Sequence, residues 1–327
     1  MKKRLRILGT GSHVPERRVP NSEFAKTLDT SDEWIRERTG IEERRLSSDQ
    51  EPTSVFAIEA AKKALDAAKI KPEDVDLILA ATTTPDMLFP SLACLVQEGT
   101  GAKKAFAFDV SAACAGFLYG LQVAHTQAQA GAVRTVLLVG ADTLGKYCDF
   151  TDRGTCILFG DGAGAAVLRS EEGERGILGA KLYSDGTLWR HLYIANSGSV
   201  SPNPRDTQGK RTNFIKMEGR EVFRYAVRGM TESCKAVMDE CGVAAQDVRW
   251  LIAHQANSRI LDSTAEKLAF PKERVYQNLQ KYGNTSAASI PLALDECSRE
   301  GKLAPGDLIL FTAFGAGFAW GSALVRW

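Results

Sequence analysis

The chain has 327 residues, of which 44% are hydrophobic and 25% are charged, and its formal net charge is +1. This composition is typical of a globular protein that buries a large core without disulfides or metals. A near-neutral chain gives no electrostatic reason to expect a nucleic acid or a membrane surface as a partner.

The first segment, MKKRLRILGTGSHVPERR, begins with basic residues but reaches polar residues and prolines before any apolar run of sufficient length for a signal peptide. No apolar run in the chain approaches the ~18 residues of a membrane span. The seven cysteines are scattered, form no CxxC pair and do not cluster with the four histidines. We therefore expect no metal site, reduced cysteines and a cytoplasmic location.

Residues 57–81, AIEAAKKALDAAKIKPEDVDLILAA, are predicted to form an amphipathic helix, a short turn and an apolar strand. The next pair of elements surrounds a cysteine. KAFAFDV at 104–110 alternates as a partly buried strand does, and a helical pattern runs from Cys114 to the breaker Gly131. Cys114 therefore opens a buried helix, where it is either a small packing residue or a nucleophile whose thiol pKa the helix N-terminus lowers.

The second half of the chain repeats the pattern of the first. Residues 230–254 have the layout of 57–81 at a shift of 173, and residues 284–311 match the helix and strand from Cys114 onward at a shift of 170, which places Asn284 opposite Cys114. GDGAGAAVLR at 160–169 likewise resembles the closing segment 314–326. We predict an α/β protein of two duplicated halves, 1–175 and 176–327, packed as one unit. The polar stretch 197–212 is predicted to be an exposed excursion that separates the two matching patterns.

Three polar residues are predicted to converge where the halves meet. Cys114 and Asn284 each begin a matching helix, and His254 follows an apolar strand, at the carboxyl end where open α/β sheets bind ligands. A thiol, an imidazole and a carboxamide suit acyl transfer through a thioester intermediate.

Two other interpretations of these motifs are weaker. Papain-like proteases also use Cys, His and Asn, but the context AACAGF lacks their cysteine signature. GDGAGAA resembles a dinucleotide fingerprint, yet a strand pattern and not a helix follows it.

From residue 4 to residue 327 the sequence resembles the β-ketoacyl-acyl carrier protein synthase III family, the condensing enzymes that start type II fatty-acid synthesis. The resemblance implies the five-layered αβαβα thiolase fold and a homodimer. It rests on DTSDEWIRERTGIEERR (29–45), FDVSAACAGF (108–117), DRGTCILFGDGAGAAVL (152–168), MEGREVF (217–223), HQANSRI (254–260), GNTSAAS (283–289) and FGAGFAWGSALVR (314–326).

The resemblance implies a role for each catalytic residue. Cys114 takes the acyl group from an acyl-coenzyme A, and malonyl-acyl carrier protein then enters the same tunnel. His254 and Asn284 donate hydrogen bonds to the enolate formed as carbon dioxide leaves. The oxyanion hole is implied to use the backbone N–H groups of Cys114 and of Ala316, which stands where some relatives have Gly. No tightly bound cofactor and no metal is implied.

The resemblance also implies binding residues. Trp34 and Arg153 would stack on the adenine of coenzyme A, with Thr30 and Arg38 near the nucleotide, and Gly219, Phe223 and Asn257 would line the pantetheine tunnel. Arg259 would belong to a basic face for the acidic carrier protein, and charge alone adds Lys216, Arg220 and Arg224 as weaker candidates. Phe89 would cross a dimer interface and form the floor of the partner's acyl pocket.

Plainer interpretations remain open for several of these residues. Trp34, Phe89 and Phe223 are alternatively core aromatics, Arg38 and Arg153 surface arginines, and Asn257 a helix cap. The function also has two alternatives: a thiolase-fold acyltransferase or ketosynthase of specialised metabolism with another acceptor, and a non-catalytic module that binds coenzyme A or carrier protein. The intact Cys114, His254 and Asn284 favour carbon–carbon condensation over both.

Overall fold

The computed structural model describes residues 3–327, so Met1 and Lys2, with which the predicted first half begins, lie outside the described residues. Its strands are β1 (Lys3–His13), β2 (Arg18–Pro20), β3 (Glu43–Arg45), β4 (Leu77–Ala81), β5 (Phe106–Val110), β6 (Thr135–Thr143), β7 (Asp161–Glu172), β8 (Gly176–Ser184), β9 (Leu192–Ile194), β10 (Ile215–Met217), β11 (Trp250–Ala253), β12 (Leu308–Gly315) and β13 (Ala319–Arg326). Its α-helices are α1 (Asn21–Phe24), α2 (Asp32–Thr39), α3 (Thr53–Ala68), α4 (Leu92–Thr100), α5 (Gly116–Gln129), α6 (Arg153–Cys156), α7 (Gly219–Cys241), α8 (Ser258–Lys267), α9 (Leu279–Tyr282) and α10 (Ser289–Arg299).

The first sheet is built from strands of the first half in the order β1-β7-β6-β4-β5. The three strands β6, β4 and β5 are parallel, and β7 and β1 add antiparallel strands on the β6 side. Both β4 and β6 are buried along their whole length, in agreement with the apolar sequence of β4 and of residues 136–141 in β6. Strand β5 is the edge of this sheet.

The second sheet repeats the order and the strand directions of the first. Its order is β8-β13-β12-β11, with β11 and β12 parallel and the other neighbours antiparallel. Strands β8, β13, β12 and β11 therefore correspond, in that order, to β1, β7, β6 and β4 of the first sheet. In place of a counterpart to β5, a single bridge joins Leu251 to Val275.

The helices form three layers around the two sheets. The pair α5 and α10 packs between the sheets, α3 and α4 cover the outer face of the first, and α7 and α8 cover the second. Fully buried side chains such as Phe117 and Phe311 meet in the central layer, where each contributes about 1.5–3 kcal/mol of burial free energy. The predicted αβαβα fold is confirmed.

The predicted equivalence of Cys114 and Asn284 in the two halves is wrong, as the helices α5 and α10 at the centre of the fold show. Each is preceded by a short 3₁₀ turn, Ala113–Ala115 before α5 and Ser286–Ala288 before α10. The first residue of each turn has a left-handed φ, +45° at Ala113 and +53° at Ser286, and these two residues are 173 apart. Ala287 and not Asn284 is therefore the counterpart of Cys114. The 170-residue shift holds only at the helix ends, because α10 has 11 residues where α5 has 14.

The excursion at 197–212 is largely exposed, as predicted. It lies between β9 and β10, inside the second half, so the expectation that it separates the two patterns is wrong. The turn between the end of β7 at Glu172 and the start of β8 at Gly176 divides the strands of the first sheet from those of the second. Among residues 3–327, no helix is both long and apolar enough to cross a membrane.

Candidate active site

Cys114 lies in the tight turn that leads into α5, between the two sheets. The turn is held by the N–H of Ala115, which donates to the carbonyl of Ala112, and Cys114 is buried. The end of β12 approaches the turn so closely that a Cβ on Gly315 would lie 2.7 Å from the Cys114 nitrogen. Glycine at this position therefore permits the C-terminal strand to reach the cysteine backbone.

His254 directly follows β11, and its backbone N–H donates to the carbonyl of Thr312 at 2.8 Å. This bond continues the parallel pairing with β12 and fixes the ring where the strand ends. The imidazole Nδ1 lies 2.7 Å from the hydroxyl oxygen of Ser289, the first residue of α10. His254 is buried. Because Ser289 engages Nδ1, the other ring nitrogen, Nε2, is the one left to contact a substrate.

Asn284 is anchored to the first half of the chain through its backbone. Its N–H donates to the carbonyl of Leu158 at 2.8 Å, and its own carbonyl accepts from the N–H of Gly160 at 2.9 Å. In its side chain, Oδ1 accepts from the N–H of Ser286 at 2.9 Å. Since a backbone N–H only donates, this contact assigns the oxygen and leaves the Nδ2 donors for the cavity.

Burial keeps both Cys114 and His254 uncharged. It raises the pKa of the Cys114 thiol to about 12, and a hydrogen bond from Ser286 opposes this rise only in part. Desolvation is the largest of the causes acting on this thiol, so the net shift of its pKa is upward, opposite to the lowering that a helix N-terminus favours. The same desolvation lowers the pKa of His254 to about 3. At neutral pH the site holds a thiol and a neutral imidazole.

The three side chains line one narrow cavity of about 230 Å³. Apolar residues such as Phe314, Met217 and Met230 form most of its wall. Of the residues predicted to bind or react, the cavity brings together nine: Trp34, Arg38, Cys114, Arg153, Gly219, Phe223, His254, Asn257 and Asn284.

Three of these residues come from two separate segments and contact one another. The guanidinium of Arg153 lies 4.6 Å from the centre of the Trp34 ring, and that of Arg38 lies 5.7 Å from it. Arg153 also bonds to the carbonyl of Asp29. A purine between the indole and the guanidinium would need two contact distances, roughly 7 Å in all. Arg153 therefore occupies the ring face on which a purine would stack, and a sandwich requires it to turn away.

Asn257 caps the helix that follows His254, as the plainer interpretation expected. Its Oδ1 accepts from the N–H of Arg259 at 2.9 Å, and its Nδ2 donates to the carbonyl of Arg38 at 3.0 Å. Asn257 thereby joins α8 to α2 across the cavity wall. Arg259 is exposed on α8, with its guanidinium 5.9 Å from the Phe223 ring centre.

The remaining predicted residues lie outside this cavity. Thr30 is half-buried beside α2, and Lys216, Arg220 and Arg224 are exposed, with Arg224 paired to Glu221. Phe89 is 84% exposed, so its interpretation as a core residue is wrong.

A second cavity, of about 220 Å³, also reaches Cys114. Ala316 lines it, and most of its wall is apolar, including Leu144, Phe159 and Ile215. The N–H of Ala316 has no hydrogen-bond partner within residues 3–327. Cys114 thus separates a tunnel with a polar rim from an apolar pocket.

Sequence reasoning assigned no role to Ser286 and Ser289, although both lie in the quoted motif GNTSAAS. The hydroxyl of Ser286 is buried and lines the second cavity together with Cys114, on whose thiol pKa it acts. Their closeness in sequence to Asn284 was the signal that could have indicated a role for these serines. The contact between Ser289 and His254 could not be predicted in this way, because the two residues are 35 apart in sequence. No group of three or more potential metal ligands occurs in the described residues.

Comparison with known proteins gives one consistent result. A family model described as 3-oxoacyl-[acyl-carrier-protein (ACP)] synthase III matches residues 108–186, and its C-terminal counterpart matches residues 238–327. The beta-ketoacyl-[acyl-carrier-protein] synthase III of Caldanaerobacter subterraneus subsp. tengcongensis is 50% identical over 98% of this chain and 97% of its own.

Solved structures agree. The crystal structure of 3-oxoacyl-[acyl-carrier-protein] synthase III from Aquifex aeolicus has a TM-score of 0.91 at 47% identity and covers 99% of this chain and 100% of its own. The priming beta-ketosynthase of the R1128 polyketide pathway has a TM-score of 0.92 at 34% identity, over 100% of this chain and 97% of its own.

Proposed function

The chain belongs to the β-ketoacyl-acyl carrier protein synthase III family, the acyltransferases that start fatty-acid synthesis by condensation, and we propose that Cys114, His254 and Asn284 perform the reaction. The reaction joins an acyl-coenzyme A primer to malonyl-acyl carrier protein with loss of carbon dioxide. The observation that carries the residue assignment is the shared cavity, in which two uncharged donors surround a buried thiol.

In the first half-reaction the sulfur of Cys114 attacks the thioester carbonyl of the primer. The carbonyl oxygen gains negative charge, which the backbone N–H groups of Cys114 and Ala316 stabilise. The bond from the carbonyl carbon to the coenzyme A sulfur then breaks. Coenzyme A leaves as a thiol, so the proton lost by Cys114 is balanced by the one gained by the leaving group. This exchange of one neutral thiol for another suits a site that disfavours charge.

In the second half-reaction the malonyl group loses carbon dioxide, and the electron pair of the broken bond forms an enolate. The N–H groups of His254 Nε2 and Asn284 Nδ2 donate to the enolate oxygen. Its carbon attacks the acyl-cysteine carbonyl, the bond to sulfur breaks, and Cys114 takes up a proton. Uncharged donors are sufficient here, because decarboxylation requires no base.

The mouth of the cavity is the proposed binding site for coenzyme A. Trp34 offers a flat apolar face to the adenine, and Arg153 supplies a guanidinium once it turns from the indole, with Arg38 and Thr30 close by. Gly219, Phe223 and Asn257 form the narrow passage for the pantetheine arm. No tightly bound cofactor takes part in these steps.

Carrier protein docks, in this proposal, on the exposed side of α8. Arg259 supports it, because this cation lies beside Phe223 at the tunnel wall and outside the tunnel itself. Lys216, Arg220 and Arg224 extend the basic face. Since the carrier protein is acidic, these charges accelerate its encounter with the enzyme.

A second copy of the chain is the proposed partner of β5. This strand is the open edge of the first sheet, and Phe106 and Phe108, two residues apart on one face, are exposed with their ring centres 6.4 Å apart. Leu88 and Phe89 are exposed as well. An open edge with apolar side chains is normally covered. A homodimer formed there lets Phe89 enter the partner's acyl pocket.

The division into halves and the state of the cysteines complete the proposal. The halves 1–175 and 176–327 act as one unit, since Cys114 belongs to the first and His254 and Asn284 to the second. The seven cysteines are free thiols, which fits the reducing conditions of the cytoplasm.

The test separates the half-reactions. The protein is incubated with acyl-coenzyme A thioesters of increasing length, and the mass added at Cys114 is read before and after malonyl-acyl carrier protein is supplied. We expect acylation in the wild type and none in Cys114→Ser, because an unactivated hydroxyl is a weak nucleophile. His254→Ala and Asn284→Ala should acylate normally but decarboxylate ~10²–10³ times more slowly, the loss typical of one oxyanion donor.

Cys148→Ser is the matched control, since Cys148 is also buried but lies in neither cavity wall. Acyl mass on Cys114→Ser would remove the nucleophile assignment. Failure of both alanine variants to acylate, with normal decarboxylation, would reverse the assignment of the two half-reactions.

A further inference from the structure

Ser289 contacts His254 from the first turn of α10 and is itself buried. Its hydroxyl oxygen lies 2.7 Å from Nδ1 of His254 and 3.4 Å from the backbone nitrogen of Gln255. The contact brings together two residues 35 apart in sequence at the centre of the site.

The direction of the short hydrogen bond follows from an account of the available protons. The Gln255 N–H can only donate, so the Ser289 oxygen accepts there. The single hydroxyl proton then needs an acceptor, and Nδ1 of His254 is the one that the described residues offer. A neutral imidazole that accepts at Nδ1 carries its proton on Nε2. Burial keeps the ring neutral, and no charged side chain contributes to the lowered pKa of His254.

We propose that Ser289 is a positioning residue that holds His254 in the Nε2–H tautomer, so that the ring acts as a hydrogen-bond donor and never as the base for Cys114. This inference rests on the proposed function and extends it to a residue outside the reacting set. It predicts that acylation proceeds without the imidazole, because an Nε2 that already carries a proton cannot accept the thiol proton. It also predicts which half-reaction depends on Ser289.

The first measurement reads the tautomer directly. The wild-type protein is labelled with ¹⁵N in its histidine rings, and the two ring nitrogens of His254 are identified by loss of their signals in His254→Ala. We expect Nε2 to carry the proton and Nδ1 to carry none. A protonated Nδ1 in the wild type would overturn the proposal whether or not any Ser289 variant folds.

The second measurement reads the consequence. Ser289→Ala should decarboxylate malonyl-acyl carrier protein ~10–100 times more slowly, by analogy with the loss that follows removal of a partner that orients a metal-binding histidine. Its acylation by acyl-coenzyme A should be unchanged. Ser289→Thr, which keeps the hydroxyl, should recover much of the rate. Ser54→Ala removes a buried hydroxyl on α3, at the outer face of the first sheet and in neither cavity wall, and serves as the control.

Equal losses in both half-reactions of Ser289→Ala, or an unchanged tautomer with an unchanged rate, would overturn the positioning role. Failure of the proposed function is distinguishable, because in that case the wild type itself would not acylate Cys114 or would not release carbon dioxide.

Discussion

Burial shifts the pKa values of Cys114 and His254 in opposite directions, and both shifts favour the uncharged side chain. It raises the pKa of the Cys114 thiol and lowers that of the His254 imidazole, and each shift favours the neutral form. A protease of the papain type instead maintains a thiolate beside a protonated imidazole. The neutral pair therefore argues against the protease interpretation on physical grounds, independently of the family match.

The lowered pKa of His254 predicts how stability depends on pH. Between pH 6.5 and about 3 the unfolded chain binds a proton at this residue that the folded protein does not. Stability should consequently rise with pH across this window and fall as the pH is lowered, by up to about 1.4 kcal/mol per pH unit from this one group. Urea unfolding between pH 5 and 7, at fixed protein concentration, measures the slope.

His254→Gln should reduce that slope, since glutamine binds no proton in either state. His191→Gln is the control, because His191 lies at the surface beside Glu218. Equal slopes in the wild type and His254→Gln would show that His254 titrates alike in both states.

At the level of elements, the sequence is sufficient to predict the strand and the helix that position Cys114 and His254. The strand before His254 and the helix after Cys114 were predicted from their periodicity and their breakers. The pairing of equivalent residues failed because helix ends were aligned. Helix α10 is three residues shorter than α5, which is nearly one turn of 3.6 residues. Its apolar residues therefore remain on the same face, and the hydrophobic pattern does not reveal the difference in length.

The contacts that sequence could not predict join separate elements. The placement of Arg153 on Trp34 and the bond from Ser289 to His254 depend on how α6 meets α2 and how α10 meets β11. Local patterns carry no information on such distances. Family resemblance named Trp34 and Arg153 for an adenine sandwich but gave no indication that the two residues contact each other directly.

Helix α8 permits a test of carrier-protein docking. Arg259→Glu should raise the apparent KM for malonyl-acyl carrier protein and weaken the dependence of that KM on salt, because it removes part of the electrostatic attraction that salt screens. Acylation by acyl-coenzyme A should be nearly unchanged, because a charge outside the tunnel acts on encounter. The measurement is steady-state kinetics with each substrate varied in turn.

Arg249→Glu provides a matched control, since Arg249 is exposed at the opposite end of β11 from His254. An equal loss with both substrates in Arg259→Glu would place Arg259 in the shared tunnel or indicate a folding defect.

For the whole molecule, the site exists only because two similar halves are packed face to face. The proposed nucleophile lies in one half and both proposed enolate donors lie in the other, and the backbone of Asn284 is bonded to the first half at Leu158 and Gly160. In the proposed homodimer, the open edge at β5 would extend this dependence to a second copy of the chain. Activity and assembly are therefore expected to be linked.

Phe89 provides the test of that link. Phe89→Ala should shift the acyl preference toward longer or branched chains, each added methylene gaining up to ~0.8 kcal/mol where it fills apolar space. The melting temperature should change little, since a side chain that is 84% exposed contributes little to the protomer core. The acyl profile by mass spectrometry, with sedimentation and a melting curve, measures all three.

Val200→Ala is the control, because Val200 is equally exposed but lies on the excursion at 197–212. A strongly destabilised Phe89→Ala with an unaltered acyl profile would exclude the pocket role, and an active wild-type monomer would exclude a shared pocket.

The paired left-handed residues Ala113 and Ser286 bear on what makes the proposed nucleophile reactive. A strained backbone before a nucleophile invites the interpretation that strain activates it. Here the same strain occurs at the matching position of the other half, before Ala287, which has no reactive group. The turn therefore belongs to the repeated fold, and its strain is not specific to a reactive residue. Any reactivity of Cys114 must then come from the groups around the thiol and not from the backbone that carries it.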